Sequence, residues 1–308
     1  MVVLSAVFLL GTVGNGLVIY FAAFRMKRTV TIVWYLNLAI ADFICSSFLP
    51  LIVVEFALDD HWPFGAFMCK LYPTIMDMNL YASIFLLTVI SMDRCISVLF
   101  PVWCRNHRTP KLASFVALGV WILAFVFSLP YFTFIDAKEY NGTVICINSH
   151  GDDINEKSRH TGDVMTTFIV GFAIPFILII SCYSIILLRI RRNHMTTSSK
   201  PFKVAVAVII SFFVCSFPRH VFSFVLLAAS YDPDRDLSYA ELFGIGLSSS
   251  LIYVNSCVNP FLYFFLGHDF KVKFWTSFQA IFEKVFTEES GQLDSQSRTR
   301  STSDSLIV

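Results

Sequence analysis

Apolar stretches at approximately 2–24, 31–57, 67–99, 112–134, 163–188, 202–230 and 240–265 divide this chain. Each reaches the length of about 20 residues that a helix needs to cross a bilayer. Lipid offers no partner to a free backbone amide or carbonyl, so each stretch must close its hydrogen bonds internally or join a closed barrel. The stretches are too long for barrel strands and lack their alternation, which leaves helices. The expected fold class is all-α, a seven-transmembrane-helix bundle. Composition agrees, because 56% hydrophobic residues, 33 Phe and 15% charged residues are too apolar for a soluble globule of 308 residues. The formal net charge of +1 is uninformative as a total, and no nucleic-acid partner is indicated.

Near the middle of the second stretch stands an ionisable residue, Asp42, in Asn37-Leu-Ala-Ile-Ala-Asp-Phe43. A carboxylate at bilayer depth costs about 2.5 to 3.5 kcal/mol even on insertion scales that allow snorkelling, so it has to face a polar interior. The bundle therefore has a polar centre with work to do.

Charge is sharply divided between the connections. The first, third and fifth hold Arg25, Lys27, Arg28, Arg105, Arg108, Lys111, Arg189, Arg191, Arg192, Lys200 and Lys203 and no carboxylate. The others hold twelve carboxylates against Lys138, Lys157, Arg159 and Arg235. The positive-inside bias then expects a multi-pass plasma-membrane protein with its N-terminus extracellular and its C-terminus cytoplasmic. The sequon at Asn141 falls in an outer loop, open to glycosylation. Residues 2–24 lack a basic leader and a small-residue cleavage site, so the first helix is expected to be its own signal anchor. Almost nothing precedes it, and an extracellular N-terminal segment is expected to be missing from this version of the chain.

The eight cysteines show no close-spaced metal pattern. Cys45, Cys95, Cys104, Cys182, Cys215 and Cys257 lie in helices or at inner ends, where a small buried hydrophobe is the expected role. Cys69 and Cys146 alone share the outer, oxidising side, and a disulfide between them would pin the second outer loop over the bundle mouth.

Gly14-Asn15, Leu38 to Asp42, Asp93-Arg94-Cys95, Trp121, Pro175 with Tyr183, Phe212 to Pro218 and Asn259 to Tyr263 follow one another helix by helix. Together they resemble the rhodopsin-like G-protein-coupled receptors over essentially the whole chain. Within that class Asp93 to Thr109, Ser198 to Lys203, Asn255 to Pro260 and Phe286 to Ser290 are similar to the chemoattractant branch. That branch holds formyl peptide receptors, their orphan relatives and the chemoattractant-type prostaglandin D receptor.

The resemblance implies roles for individual residues. Asp42, Asn79, Ser83, Asn255, Ser256 and Asn259 resemble the family's mid-bundle sodium pocket, where oxygen ligands suit a hard cation. A water-filled hydrogen-bond network without a specific ion fits the same residues. Arg94 is expected to pair with Asp93 at rest and to be released toward a G protein when the sixth helix swings out, with Tyr183 and Tyr263 turning inward. The alternative is an Arg that merely snorkels to the headgroups. Ser198, Ser199 and Lys200 stand where an acidic residue would lock Arg94 a second time. Ile84, Pro175 and Phe212 match the family's transmission triad, and Pro218 removes a helix hydrogen bond and sets a pivot. Ser216 departs from the Trp usually found two residues before that proline, so either efficacy is weak or transmission is rerouted through Phe212 and Phe217.

Ligand recognition departs as well. Asp77 matches an aspartate that formyl peptide receptors use, but Asp163 and Thr167 stand where those receptors place two arginines. Arg219 and His220, after the sixth-helix proline, are expected to face the cavity. Arg219 either pairs with Asp77 or holds a ligand carboxylate in its bidentate fork. Acidic outer loops would steer cations inward. A basic peptide with a free carboxylate satisfies both features, and an anionic lipid satisfies the first.

On the inner face, Phe270, Phe274, Phe278 and Phe282 recur at helical spacing beside Lys271 and Lys273. That pattern describes a short amphipathic eighth helix on the membrane surface. Val102 is expected to insert into the G protein or to pack against the bundle. Beyond it, the polar composition from residue 287 onward implies disorder. Ser297, Thr299, Ser301, Thr302, Ser303 and Ser305 suit receptor kinases and then arrestin, an unmodified tail being the alternative. The ending Leu306-Ile-Val308 also suits strand addition to a PDZ domain.

The expected organisation is a receptor domain at 1–266, a surface helix at 267–286 and a disordered cytoplasmic tail at 287–308. The expected function is reception of an extracellular chemoattractant-type ligand, peptide or anionic lipid, with signalling through inhibitory G protein. Receptor kinases, arrestin and membrane lipids are the further partners, and an allosteric Na⁺ is the sole cofactor contemplated. A receptor-shaped scavenger that internalises ligand with little or no signalling is the alternative, motivated by Ser216 and by the expected loss of an N-terminal segment. A transporter lacks its paired broken helices and inverted repeat. No metal set, nucleophile with a base at reach, or phosphate loop points to an enzyme.

Overall fold

Backbone pairing in lipid dictates helices, and a computed structural model of the chain describes residues 2–140, 142–148, 153–192, 200–232 and 237–266. Helix α1 (Val2–Tyr20) ends in a π-helical turn, Phe21–Arg25, and is followed by α2 (Val30–Ala57) and α3 (Gly65–Leu99). A short α4 (Pro101–His107) leads into α5 (Pro110–Phe134), then into the hairpin of β1 (Ile135–Tyr140) and β2 (Thr143–Asn148). Helix α6 (Asp153–Phe168) runs through a second π-helical turn, Ile169–Ala173, into α7 (Ile174–Arg192), and α8 (Lys200–Tyr231) and α9 (Tyr239–Leu266) complete the fold. Among the described residues seven helical spans are long and apolar enough to cross a membrane.

Local chemistry sets several ends. Thr29 and Thr109 stand just before α2 and α5, and their hydroxyls accept from the amides of Ile32 and Leu112 at 3.3 Å. Pro110 occupies the first turn of α5, where its missing N–H is no loss. The fifth span starts at Asp153 rather than near 163, because its outer turns are polar and hydropathy does not reveal them. The hairpin is likewise a departure from a wholly helical reading. It pairs antiparallel with Ala137 opposite Cys146.

That hairpin is tied down from both sides. Cys146 is disulfide-bonded to Cys69 in the first turns of α3, as the topology requires. The amide of Trp62 donates to the carbonyl of Val144 at 2.8 Å, and the amide of Val144 donates to His61 Nδ1 at 3.1 Å. Trp62 itself is buried with Tyr72 and Ile135 beneath the loop.

Helix α3 forms the axis, packing on α2, α5, α7 and α8. Its Leu80, Ile84, Leu87 and Ile90 lie in one core with Leu38, Ile179 and Phe212. Trp121 of α5 donates through Nε1 to Asn37 Oδ1 of α2 at 3.0 Å, fixing α5 against that side of the axis. The expected surface helix at 267–286, the tail at 287–308 with its phosphorylation candidates from Ser297 to Ser305, and Asn141 of the sequon lie outside the described residues.

Close approach of α1 to α2 depends on Gly11, where a Cβ would come within 2.3 Å of Ser46 Oγ, whereas at Gly119 nothing lies within 4 Å. Gly11→Ala is expected to lower stability by about 1–3 kcal/mol through overpacking. Gly119→Ala is expected to raise it by about 0.5–1 kcal/mol through helix propensity. Thermal unfolding of the two purified variants in one detergent checks the opposite signs.

Candidate functional site

Polar side chains inside an apolar bundle mark the levels at which it can do chemistry, and α3 carries one set at each level. At the acid-rich end a cavity of about 270 Å³ is lined by Tyr72, Asp77, Tyr131, Arg219, Phe222 and Tyr253, among others. A second, of about 140 Å³, shares Tyr131 and Arg219 and adds His160, Asp163, Thr167 and His220. The sequence candidates Asp77, Arg219, His220, Asp163 and Thr167 thus line adjoining chambers, with Arg219 between them. Asp77 is buried, and Arg219 Nη2 lies 3.5 Å from its Oδ1. Neither Asp77 oxygen has a hydrogen-bond partner, so the pair is in ionic range without hydrogen-bond geometry.

Tyrosines complete this level. Tyr131 donates to Asp163 Oδ2 at 2.9 Å, Tyr81 and Thr167 share a hydrogen bond at 3.4 Å, and the Tyr72 and Tyr253 hydroxyls meet at 3.0 Å. Sequence reasoning did not single these tyrosines out. No spacing marks them, since an aromatic ring near the outer end of a helix usually serves packing or the membrane interface.

In mid-bundle Asp42 is fully enclosed. It accepts from Asn259 Nδ2 of α9 at 2.8 Å and from Asn79 Nδ2 of α3 at 3.4 Å. The Ser256 hydroxyl stands beside the Asp42 carboxylate, and around them the oxygens Ser83 Oγ, Asn255 Oδ1 and Asn259 Oδ1 are buried without hydrogen-bond partners. Ser46 Oγ, one helical turn after Asp42, is in the same condition and was legible from its spacing. Asn15 of α1 closes the cluster, donating through Nδ2 to the carbonyls of Gly11 at 2.9 Å and Ser256 at 2.8 Å.

At the basic end the expected partner is replaced. Asp93 is not paired with Arg94. It accepts from Arg108 on both oxygens, Nε to Oδ1 at 2.7 Å and Nη2 to Oδ2 at 2.8 Å. Arg94 instead donates through Nη2 to Thr31 Oγ1 of α2 at 2.9 Å, with the Tyr35 hydroxyl alongside. The reason is geometric, because Arg108 reaches Asp93 from beyond α4 with its fork aligned, which a neighbour on the same helix cannot match. Hydrogen bonding to Asp93 pushes the Arg108 guanidinium pKa further up. Tyr183 on α7 stands within reach of Ser91 and Arg94. Tyr263 lies in the last turn of α9. Val102 on α4 is 76% exposed, so it points away from the bundle rather than packing on it.

Between the levels, Ile84 and Phe212 share the main core with Tyr183 against it, and Pro175 is buried one turn before Ile179 of that core. Ser216 is buried, but Phe217 is 54% exposed on the outer face of α8, which removes it from the expected detour. Another aromatic path is present. His220 meets Phe172 at 4.7 Å between ring centroids, Phe172 meets Phe213 at 5.3 Å, and Phe213 meets Phe212 at 5.6 Å.

The family description "7 transmembrane receptor (rhodopsin family)" matches residues 14–263. Formyl peptide receptor 2 of Mus musculus is 42% identical over 320 aligned residues, covering 98% of this chain and 89% of that protein. Chemerin-like receptor 1 of Mus musculus is 40% identical over 304 residues, covering 94% of this chain and 81% of the relative. N-formyl peptide receptor 2 of Homo sapiens is 41% identical over 303 residues, covering 94% and 86% respectively.

The Asp93–Arg108 contact yields a direct test. In a double-mutant cycle with Asp93→Ala and Arg108→Ala, thermal unfolding should return a coupling energy of about 0.5–3 kcal/mol. The cycle of Asp93→Ala with Arg94→Ala should return a smaller coupling, because those two residues meet only through Thr31 Oγ1, which accepts from Arg94 and from Arg108.

Proposed function

Because the chain belongs to the seven-transmembrane receptors of the rhodopsin family, we propose that it receives an extracellular chemoattractant-type ligand and signals through the inhibitory class of G protein. It is a multi-pass membrane receptor rather than an enzyme. The observation that carries the reading is the continuous stack along α3, in which a cavity-side charge pair, a buried carboxylate cluster and a basic inner end share one helix. A ligand group that shifts Asp77 or Arg219 therefore bears on an element packed against α8 and α7. The basic connections face the cytoplasm and the acidic ones the exterior of the plasma membrane on this reading. Receptor kinases and arrestin would then act on the tail.

The relatives are named for formyl peptides and for chemerin, and a peptide suits the cavity here too. Asp77 and Asp163 outnumber Arg219 in the chambers, which favours a ligand end carrying both a cation and a carboxylate. An anionic lipid would engage Arg219 but meet both carboxylates. Nothing in the described residues favours the scavenger alternative, and the aromatic path through His220 and Phe172 answers the loss of bulk at Ser216.

For Na⁺, the donor set around Asp42 consists of hard oxygens, and several of them are buried without a partner in the chain, so these residues fit the ion. Asp42, Ser83 and Asn255 would hold it, and it would set a positive charge against the enclosed carboxylate. The thermal midpoint of the purified chain should rise in sodium chloride relative to choline chloride at equal ionic strength. Asp42→Asn should abolish the difference, and equal midpoints for the parent chain would exclude the ion.

Coupling is read in cells expressing the full chain, as suppression of stimulated cAMP with and without pertussis toxin while the acidic peptide fraction and basic peptide fraction of a chemoattractant extract are applied. Toxin-sensitive suppression is expected, and Arg94→Ala should abolish it at unchanged surface expression. Undiminished suppression by Arg94→Ala would sink the proposed role of that residue.

A further inference from the structure

A cavity of about 240 Å³ lies between α2, α3, α4 and α5 at the basic end of the bundle, apart from the chambers and the Asp42 cluster. Its lining is apolar and open to the bilayer, since Ile96, Trp103, Leu112 and Val116 are 39%, 49%, 48% and 38% exposed on the outer surface of the chain. Asp93 and Arg108 stand at its inner edge with their charges spent on each other. Further cations gather at the same end. Arg28 reaches across to donate to Ser114 Oγ of α5 at 3.0 Å, and Arg105 and Lys111 flank Arg108 in sequence with exposed side chains. Among the described residues none of these cations has a carboxylate within 4.0 Å, where the ion pairs are those of Lys70, Arg108 and Arg219.

We infer that this crevice binds an anionic phospholipid of the inner leaflet, one acyl chain lying along Trp103, Leu112 and Val116 and the phosphate meeting Arg28, Arg105 and Lys111. Charge complementarity selects the occupant. A basic pocket between transmembrane helices on the cytoplasmic side suits anionic headgroups, and each Lys or Arg near them contributes about 1 kcal/mol. A sterol would fill the apolar lining and leave the cations unanswered. The bound lipid covers the Asp93–Arg108 pair from the membrane side and steadies α4 against α3. The inference rests on the proposed orientation, which sets the basic end inside.

The full chain is reconstituted in phosphatidylcholine nanodiscs doped with phosphatidylserine bearing a diazirine on its acyl chain, with diazirine phosphatidylcholine and diazirine cholesterol as the comparison probes. After irradiation, labelled peptides are mapped by mass spectrometry. Peptides holding Trp103 and Leu112 to Val116 should carry more serine-lipid than choline-lipid label, about fivefold for each basic residue engaged. Arg105→Gln with Lys111→Gln should cut the preference to about fivefold, adding Arg28→Gln should bring the two labels level, and Val116→Trp, in a variant with an unchanged melting profile, should lose both. Equal labelling by the two phospholipids, preferential labelling by the sterol, or labelling indifferent to Val116→Trp would each overturn the assignment. Both leaflets of the disc are alike, so labelling is independent of which way the chain faces. Access of an antibody to an N-terminal tag on intact cells tests the orientation by itself.

Discussion

A carboxylate held inside a hydrocarbon layer must find donors or disrupt the fold, and here that requirement aligns the helices. Asp42 draws Asn79 from α3 and Asn259 from α9, while Asn15 of α1 donates to the backbone of α9 in the same cluster. Apolar packing alone cannot impose such register in a membrane, because lipid tails are as apolar as the side chains they would replace. Turning any of these helices by one residue moves its amide by roughly 100° around the axis and leaves the charge unanswered. Small residues then let the backbones close in, with Gly11 against Ser46 and Gly14 against Pro260.

What could be read from the residues was whatever depends on solvent or on covalent chemistry. Span lengths follow from bilayer thickness, the Cys69–Cys146 bond from which side of the membrane each thiol occupies, and the need for a polar centre from Asp42 in an apolar helix, while the other members of its cluster came from the resemblance to rhodopsin-like receptors. What escaped depends on where tertiary contacts fall. Arg108 captures Asp93 across the turn of α4, a choice between two arginines that spacing does not decide. Phe217 faces outward because the rotation of α8 puts Ser216 inside, and either residue beside a proline reads the same in sequence. The hairpin of the outer loop is half polar, and its pairing is held by the disulfide and by Trp62 more than by its own alternation.

The loss of a bulky residue at position 216 changes how pocket and core are connected. Ser216 is too small to span the gap, yet the rings of His220, Phe172, Phe213 and Phe212 touch in sequence from the cavity to the core that holds Ile84. Three of these rings, His220, Phe213 and Phe212, belong to α8, and the fourth, Phe172, belongs to the fifth span. Phe172 lies in the widened turn Ile169–Ala173, and that turn is what lets it reach both neighbours. Spatial adjacency makes a route available along these rings. It fixes which displacement matters, since a ligand that moves His220 presses on the fifth span before it reaches α8's inner half.

The charge pair above that route is incomplete by design of its geometry. Removing two charges from water is repaid only when close hydrogen bonds accompany the attraction, and Asp77 accepts none from Arg219 at 3.5 Å. The guanidinium therefore keeps donors in reserve, and its partial exposure turns them toward the cavity. Asp163 acts on the same charge from the second chamber while its own oxygen is engaged by Tyr131. A ligand carboxylate docking on Arg219 would weaken its hold on Asp77 and leave that aspartate in need of a cation. A ligand end that supplies both signs together satisfies all of these groups, whereas a ligand of either sign alone exchanges one unmet charge for another.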